Sequence, residues 1–413
     1  MSKKNIIILQ ILFFVFAAAN GAFVNFINLH LEQVVGLTGS EIGFVASMSM
    51  IAMMVMNPVW GYIGDKTGKY VFLLKVAWAL AVLTAVFYFN SRTLSLVVAA
   101  SVLLEGGRAA LFPFLDLIAS NYCEENQFNF GKIRVFASLG FMSFSMLTGF
   151  FIAGLQIPWF DGATIGFDGF MSLEFATFGI FITLNILGLA FSFLMPKSDA
   201  KNDDQKRSDI EKMNKEDAKQ LLKNKKYLYI VVFSMISLVT MEAVHLYSAM
   251  HLVTELGAPE NIVSWLVMFM VTPEFILLPL GVIIVKKFGF KNWYIFALLT
   301  MILRLGVYSL TTNVMLFVLV SASHGVMICM SVTGNIAYMR KVVEPRVRGL
   351  AFTILASSMA LSRAILSFIF GWIYENISSF AVFRTGTVIL LIALAMVIFS
   401  KSLNEVGKEI EAS

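Results

Sequence analysis

Apolar stretches long enough to cross a lipid bilayer recur from end to end of this 413-residue chain. A helix rises about 1.5 Å per residue, so about 20 residues traverse a hydrocarbon core of roughly 30 Å. No water inside that core can satisfy a backbone N–H or C=O. A lone segment of this length closes its own hydrogen bonds only as a helix. The pattern places spans at 5–29, 41–63, 70–90, 94–120, 133–155, 172–195, 227–252, 261–286, 292–311, 314–339, 350–374 and 379–400. The expected fold class is therefore an all-α integral membrane protein with twelve transmembrane helices. Composition agrees: 58% of the residues are hydrophobic and 14% charged, against about 25% charged in soluble domains. The opening "MSKK" runs straight into an apolar stretch too long for a signal-peptide core and without an A-x-A exit, so it reads as the start of span one.

Lysine and arginine set the orientation. One set of connections carries Lys3, Lys4, Lys66, Lys69, Lys132, Lys286, Lys287, Lys291, Arg340, Lys341, Arg346 and Arg348. Alternate connections such as "LEQVVGLTGSE", "QIPWFDGATIGFDGFMSLE", "TELGAPEN" and "YENISS" carry neither residue. Both termini are thus expected in the cytoplasm of a multi-pass protein of the cell membrane. The long polar segment between spans six and seven separates an N-terminal six-helix bundle (1–196) from a C-terminal one (226–413). Residues 197–225 read as a cytoplasmic linker with a surface helix, opened by a Ser208–Glu211 capping box.

Several classes find no support. Cys123 and Cys329 have neither disulfide nor metal spacing, and no basic patch interleaved with aromatics points to nucleic acid. No nucleophile with its base and no cofactor loop is recognisable, so an enzyme is not expected.

The connection after span two reads "GYIGDKTGKY", and the corresponding one after span eight reads "GVIIVKKFGFKN". Gly61, Gly64 and Gly68 permit a tight turn and close helix approach, while Asp65 can sit near a helix N-terminus with Lys66 and Lys69 on the cytoplasmic side. This G-x-x-x-D-K-x-G-K pattern resembles the signature of the major facilitator superfamily at the same position. The resemblance implies two six-helix halves around a central cavity, exposed alternately to either side, with this loop as a conformational gate.

Charged and ionisable groups inside spans are costly, at about 2.5–3.5 kcal/mol or more for a charge at mid-span, and so point to function. They are Glu105, Arg108, Asp116 and Arg134 in the first half, and Glu242, His245, Glu274, Arg304, His324 and Arg363 in the second. Asp116 and Arg134 stand on consecutive antiparallel spans joined by a short turn. Alone, Arg134 would read as a surface anchor. With Asp116 at matching depth, the pair can present a donor fork and an acceptor to a solute.

"FPFLDLIASNY" followed by "QFNFGKIRVFASLGF" resembles spans four and five of the oligosaccharide:proton symporters, the lactose permease group, and equally those of the phenylpropionate permeases. In both groups an acid and an arginine stand eighteen residues apart, as Asp116 and Arg134 do. In the lactose permease group they hold sugar hydroxyls. "LRLGVYS" places Arg304 at the family's span-nine arginine, with His324 twenty residues later, and Glu274 resembles the span-eight glutamate. The resemblance implies substrate binding by Asp116, Arg134 and Glu274, and proton coupling near Arg304 and His324. Met327 replaces the family's proton-carrying glutamate. Phe141 replaces its sugar-stacking tryptophan, keeping a stacking face but no N–H donor.

Glu242 and His245, three apart on one helix face, could relay a proton or simply bond neighbouring helices. Asn20, Asn25 and Asn28 could share a face of span one, and Asn25 is carried as a candidate solute donor; helix–helix hydrogen bonding would serve as well. Glu105 and Arg108 are expected to neutralise each other, Arg363 to meet an acid of span seven, and His30 and His251 to be interfacial. The resulting expectation is a proton-driven symporter importing a small polar solute, a sugar or glycoside, with no cofactor beyond the proton gradient and the bilayer and solute as partners, functional as a monomer. The alternatives are symport of a small aromatic acid and export by proton antiport.

Overall fold

The computed structural model describes residues 3–128, 130–155, 169–195, 215–344, 347–401 and 403–405. Twelve helical stretches occupy the twelve expected places. We number them α1 (Lys4–Val35), α2 (Gly39–Thr67), α3 (Tyr70–Phe89), α4 (Leu94–Cys123), α5 (Gly131–Ala153), α6 (Phe175–Ser192) and α7 (Lys225–Glu255). They continue with α8 (Ile262–Phe288), α9 (Phe290–Tyr308), α10 (314–342), α11 (Arg348–Asn376) and α12 (Ser379–Phe399). Ten of these are long and apolar enough to cross a membrane; α8 and α10 carry shorter apolar segments, Ile262–Leu278 and Val314–Cys329. A short helix, Lys215–Lys223, lies in the expected linker, whose residues 197–214, with Ser208 and Glu211, fall outside the described ones.

Interruptions in the helices have local causes. α4 breaks at Ala109–Ala110, between Leu94–Arg108 and Leu111–Glu125. Pro113 has no N–H to return to the carbonyl of Ala109, so one rung is missing there. α2 starts on a capping box between Thr38 and Glu41 and stops at Gly68, whose φ of +66° suits glycine. The turn after α4 places Gln127 at φ +52°, a position that costs a side-chain-bearing residue about 1–2 kcal/mol. Beyond α12, Glu405 reaches Lys226 at 2.9 Å, and that hydrogen bond and charge hold its carboxyl below the usual range.

The chain divides into two compact units. The first is 1–203 together with 249–265; the second is 204–248 together with 266–413. The end of α7 and start of α8 thus group with the first unit, whereas the sequence places everything after 226 in the second half. Hydrogen bonds explain the difference. Thr254 donates to Glu32 at 2.7 Å, Asn261 to the Gly154 carbonyl at 3.0 Å, and Ser264 to the Ser145 carbonyl at 3.0 Å. Gly149 leaves room for Ser264, whose hydroxyl a Cβ there would strike.

A repeat that sequence inspection missed links α1 and α7. His30-Leu31 is followed by Gly36, and His251-Leu252 by Gly257, at the same spacing. Both helices end in a wider π-type turn, Leu31–Val35 and His251–Glu255. Both glycines have positive φ, +81° and +66°. In each case the amide after the glycine returns to the leucine carbonyl at 2.9 Å, Leu37 to Leu31 and Ala258 to Leu252. The histidines are buried, 1% and 0% exposed, each at the last turns of its helix. The ring of Phe178 covers His30 edge-on at 5.1 Å.

Candidate functional site

In the first unit α1 and α5 pack backbone to backbone. A Cβ on Gly21 would strike the Phe141 carbonyl oxygen, and one on Gly140 the Phe14 carbonyl oxygen. This contact sets α5, and with it Arg134, close to α1 and α4. Arg134 Nε lies 3.4 Å from Asp116 Oδ1, and both side chains keep about a third of their surface, 37% and 35%. The pairing read from the sequence is therefore present, and it is open on one side.

The guanidinium rests on an aromatic floor that the sequence reading did not name. It stands 4.5 Å over the Phe112 ring and 5.8 Å from Phe13, and Phe112 stacks on Phe16 at 5.7 Å. A signal was available: Phe112 is four residues before Asp116, hence on its helix face. Phe141, the expected stacking residue, packs its backbone against Gly21. Asn25 spends its amide on the Gly21 carbonyl at 3.0 Å and on Ser145 Oγ at 2.9 Å, a bond between helices.

Glu105 and Arg108 do neutralise each other. Arg108 donates through Nε at 3.0 Å and through Nη2 at 2.6 Å to the two carboxylate oxygens, and through Nη1 to Asn20 Oδ1 at 2.7 Å. All three fork edges are thereby used, with Phe23 and Phe181 near the cation. This is a finished structural triad.

In the last turn of α2, Asp65 accepts a hydrogen bond from the hydroxyl of Tyr70, the first residue of α3. Gly64 is the close-approach glycine: a Cβ there would lie 2.6 Å from the Tyr70 ring and 3.2 Å from Phe114. Gly68 supplies the left-handed cap, while Gly61 faces open space, so its expected role in close packing is not seen. Lys66 stands 5.8 Å from the Tyr62 ring, and Lys69 begins the turn into α3.

The second unit brings together the ionisable residues that the sequence singled out in its spans, while Arg384 of α12 donates to the Ser309 carbonyl at 3.3 Å. Arg363 Nε stands 3.5 Å from Glu242 Oε1, and Ser367 donates to Glu242 Oε2 at 3.1 Å. Glu242 thus pairs across to α11, not along its helix to His245. His245 instead sets its ring edge against His324 at 5.6 Å. His324 Nε2 is 3.6 Å from Glu274 Oε1, whose side chain keeps 23% of its surface. Gly325 makes that approach possible, because a Cβ there would lie 2.7 Å from Pro273 and 2.8 Å from the Glu274 amide nitrogen. Arg304 is fully buried, donates through Nε to the Tyr308 hydroxyl at 3.0 Å, and lies within electrostatic reach of both histidines. Tyr308 is itself fixed by stacking on Phe317 at 3.4 Å.

Comparison with known proteins places this arrangement. The maltose permease of Geobacillus stearothermophilus is 34% identical over 134 residues, 32% of this chain and 34% of that protein. An uncharacterised transporter of Bacillus subtilis, YwbF, is 28% identical over 130 residues, 31% of this chain and 33% of that one. The matched stretch is therefore about a third of the length of either relative. Among solved structures, the nucleoside transporter NupG superposes with a TM-score of 0.79 at 16% identity, covering 97% of this chain and 100% of that one. A D-xylose–proton symporter superposes with 0.67 at 16% identity, covering 96% and 98%. Residues 6–385 match the MFS_1 like family, and the chain belongs to it as a transporter of the major facilitator superfamily.

Proposed function

We propose that this transporter imports a small polar solute together with protons by alternating access, across the cytoplasmic membrane, with both termini in the cytoplasm. The carrying observation is the Asp116–Arg134 pair, half open over an aromatic floor inside membrane-spanning helices. A pair kept only for stability gains nothing from remaining open, because exposed ion pairs contribute about 0–1 kcal/mol. A pair that meets a solute needs free lone pairs and donors, and an aromatic face suits a sugar ring or another flat apolar surface. The names of the maltose permease and the xylose–proton symporter support a sugar-like, proton-coupled cargo. For the proton, Glu274 takes over from the position filled by Met327. It is an in-span carboxylate beside a buried histidine, and no Lys or Arg lies within ion-pair distance of it among the described residues.

The test is Arg134→Lys. Lysine keeps the charge but replaces a planar fork with a point, so a solute held by two charge-assisted bonds loses one. The expected loss of affinity is about ten- to a hundred-fold, with Asp116→Asn weakening binding too and the double change costing less than the sum. Calorimetry on purified protein with a panel of maltose, xylose and nucleosides measures it. Unchanged affinity in Arg134→Lys would reduce this arginine to a membrane-surface anchor.

Orientation has its own test. In a variant without Cys123 and Cys329, Leu222→Cys should resist a membrane-impermeant maleimide in intact cells and react after lysis, as the lysine-rich connections require. Leu222 is half exposed, so access to reagent is not limited by the fold. Labelling in intact cells would reverse the topology.

A further inference from the structure

Arg304 is the anomaly of the second unit. It is 0% exposed, yet both terminal nitrogens, Nη1 and Nη2, have no hydrogen-bond partner. Among the described residues no carboxylate is within 4 Å of it, and Nε alone is used, on Tyr308. Contrast Arg108, which is also largely buried and has every edge of its fork engaged. A guanidinium cannot shed its proton, and an unpaired charge in an apolar interior is among the costliest groups a protein can hold. Water would supply acceptors but no charge. A third orphan, His324 Nδ1, lies in the same buried cluster.

We propose that Arg304 receives the carboxylate of an anionic solute, end-on across Nη1 and Nη2, so that the transported polar solute carries a carboxylate, as a sugar acid does. The free edge has the geometry of a bidentate carboxylate contact. Tyr308 holds the other edge and fixes the plane of the fork. Glu274, at the edge of the cluster, keeps 23% of its side-chain surface. This inference rests on the proton-coupled reading above and deepens it by naming the substrate class.

Charge counting supports it and ties the proton to the anion. Among the described residues the charged groups that meet in this cluster are Glu242 of α7, Glu274 of α8, Arg304 of α9 and Arg363 of α11, with His245, His324 and the Tyr308 hydroxyl as the other titratable groups; Arg384 of α12, which packs along α9, is turned to the Ser309 carbonyl. With neutral histidines, two carboxylates balance two guanidiniums in the empty state. A carboxylate arriving at Arg304 adds one negative charge, beside ionised Glu274. A proton on Glu274 removes it. The loaded cluster is then neutral again, and neither ligand enters cheaply without the other. A neutral solute with a proton would instead leave a net positive charge buried in the membrane. One proton per carboxylate follows.

Two matched pairs of probes test this on the purified full-length protein in a chloride-free buffer: D-glucuronate against D-glucose, and 3-phenylpropionate against its primary amide. We expect at least one acid to raise the melting temperature while its neutral partner does so at least ten-fold less potently. In Arg304→Gln and Arg304→Lys the acid should lose at least ten-fold in affinity, with monodispersity on size exclusion showing that the variant is folded. The acid–amide comparison in the wild type stands even if both variants fail to fold. Four results would overturn the proposal: equal potency of acid and neutral partner, no response to either acid, stabilisation reproduced by sodium chloride alone, or full affinity in a folded variant. Proteoliposomes loaded with a pH dye separate the two readings. Acidification of the lumen driven by a neutral sugar keeps proton coupling and removes the carboxylate receptor. Carboxylate binding without any proton movement keeps the receptor and removes proton coupling.

Discussion

Arg363→Gln alone should nearly abolish folded protein in the membrane, whereas Glu242→Gln combined with Arg363→Gln should restore much of it. Glu242 keeps only 7% of its side-chain surface, and its oxygens meet Arg363 at 3.5 Å and Ser367 at 3.1 Å. Removing the arginine leaves a carboxylate in an apolar interior with one hydroxyl for company. Breaking a buried pair in this one-sided way costs about 3–5 kcal/mol, a factor of roughly a hundred to a few thousand in the folded population. Arg363 itself is a third exposed, which moves the expectation to the lower end of that range. Two glutamines remove both charges and can still bond each other and Ser367, so most of the penalty disappears. The measurement is the amount of monodisperse protein by fluorescence-detected size exclusion, with melting temperature as a second readout. If the double variant behaves no better than Arg363→Gln, the arginine has a role other than neutralising Glu242.

This pair shows how far reading from the sequence reaches. Spacing along one helix was legible: Glu105 with Arg108 at three residues, and the apolar runs that became α1 to α12. So was a pairing across a short turn, because Asp116 and Arg134 lie at matching distances from it. A partner on a distant helix was legible only through the family resemblance: Arg363 was expected to meet an acid of span seven, and Glu242 is that acid. Glu242 and His245 share a helix face, which left open a proton relay between them or bonds to neighbouring helices; helix packing delivered Arg363 to one and His324 to the other. Glycines were half legible for the same reason. The positive φ of Gly68 belongs to its own turn, but whether Gly61 or Gly64 is squeezed depends on where Tyr70 and Phe114 lie, and the squeezed one is Gly64. The burial of His30 likewise depends on Phe178, a residue of another helix.

Glu274→Gln should uncouple transport from the proton gradient without destroying it. Glutamine keeps the size of the side chain and can still bond His324, but it cannot release a proton. At one proton per solute, a gradient of one pH unit is worth about 1.4 kcal/mol and sustains about ten-fold accumulation. In the variant, accumulation should fall to the equilibrium ratio of one, while exchange of labelled for unlabelled solute continues, since exchange needs the loaded carrier to move but not to deprotonate. A variant that merely misfolds would lose both activities. Glu242→Gln is the informative contrast: Glu242 is engaged by Arg363 and Ser367, so its change should reduce the amount of protein before it changes coupling. Proteoliposomes with an imposed pH step, scored for both accumulation and exchange, distinguish these outcomes. Undiminished accumulation by Glu274→Gln would move the proton to another group. His324 would then be next in line, because it joins Glu274 of α8 on one side and His245 of α7 on the other.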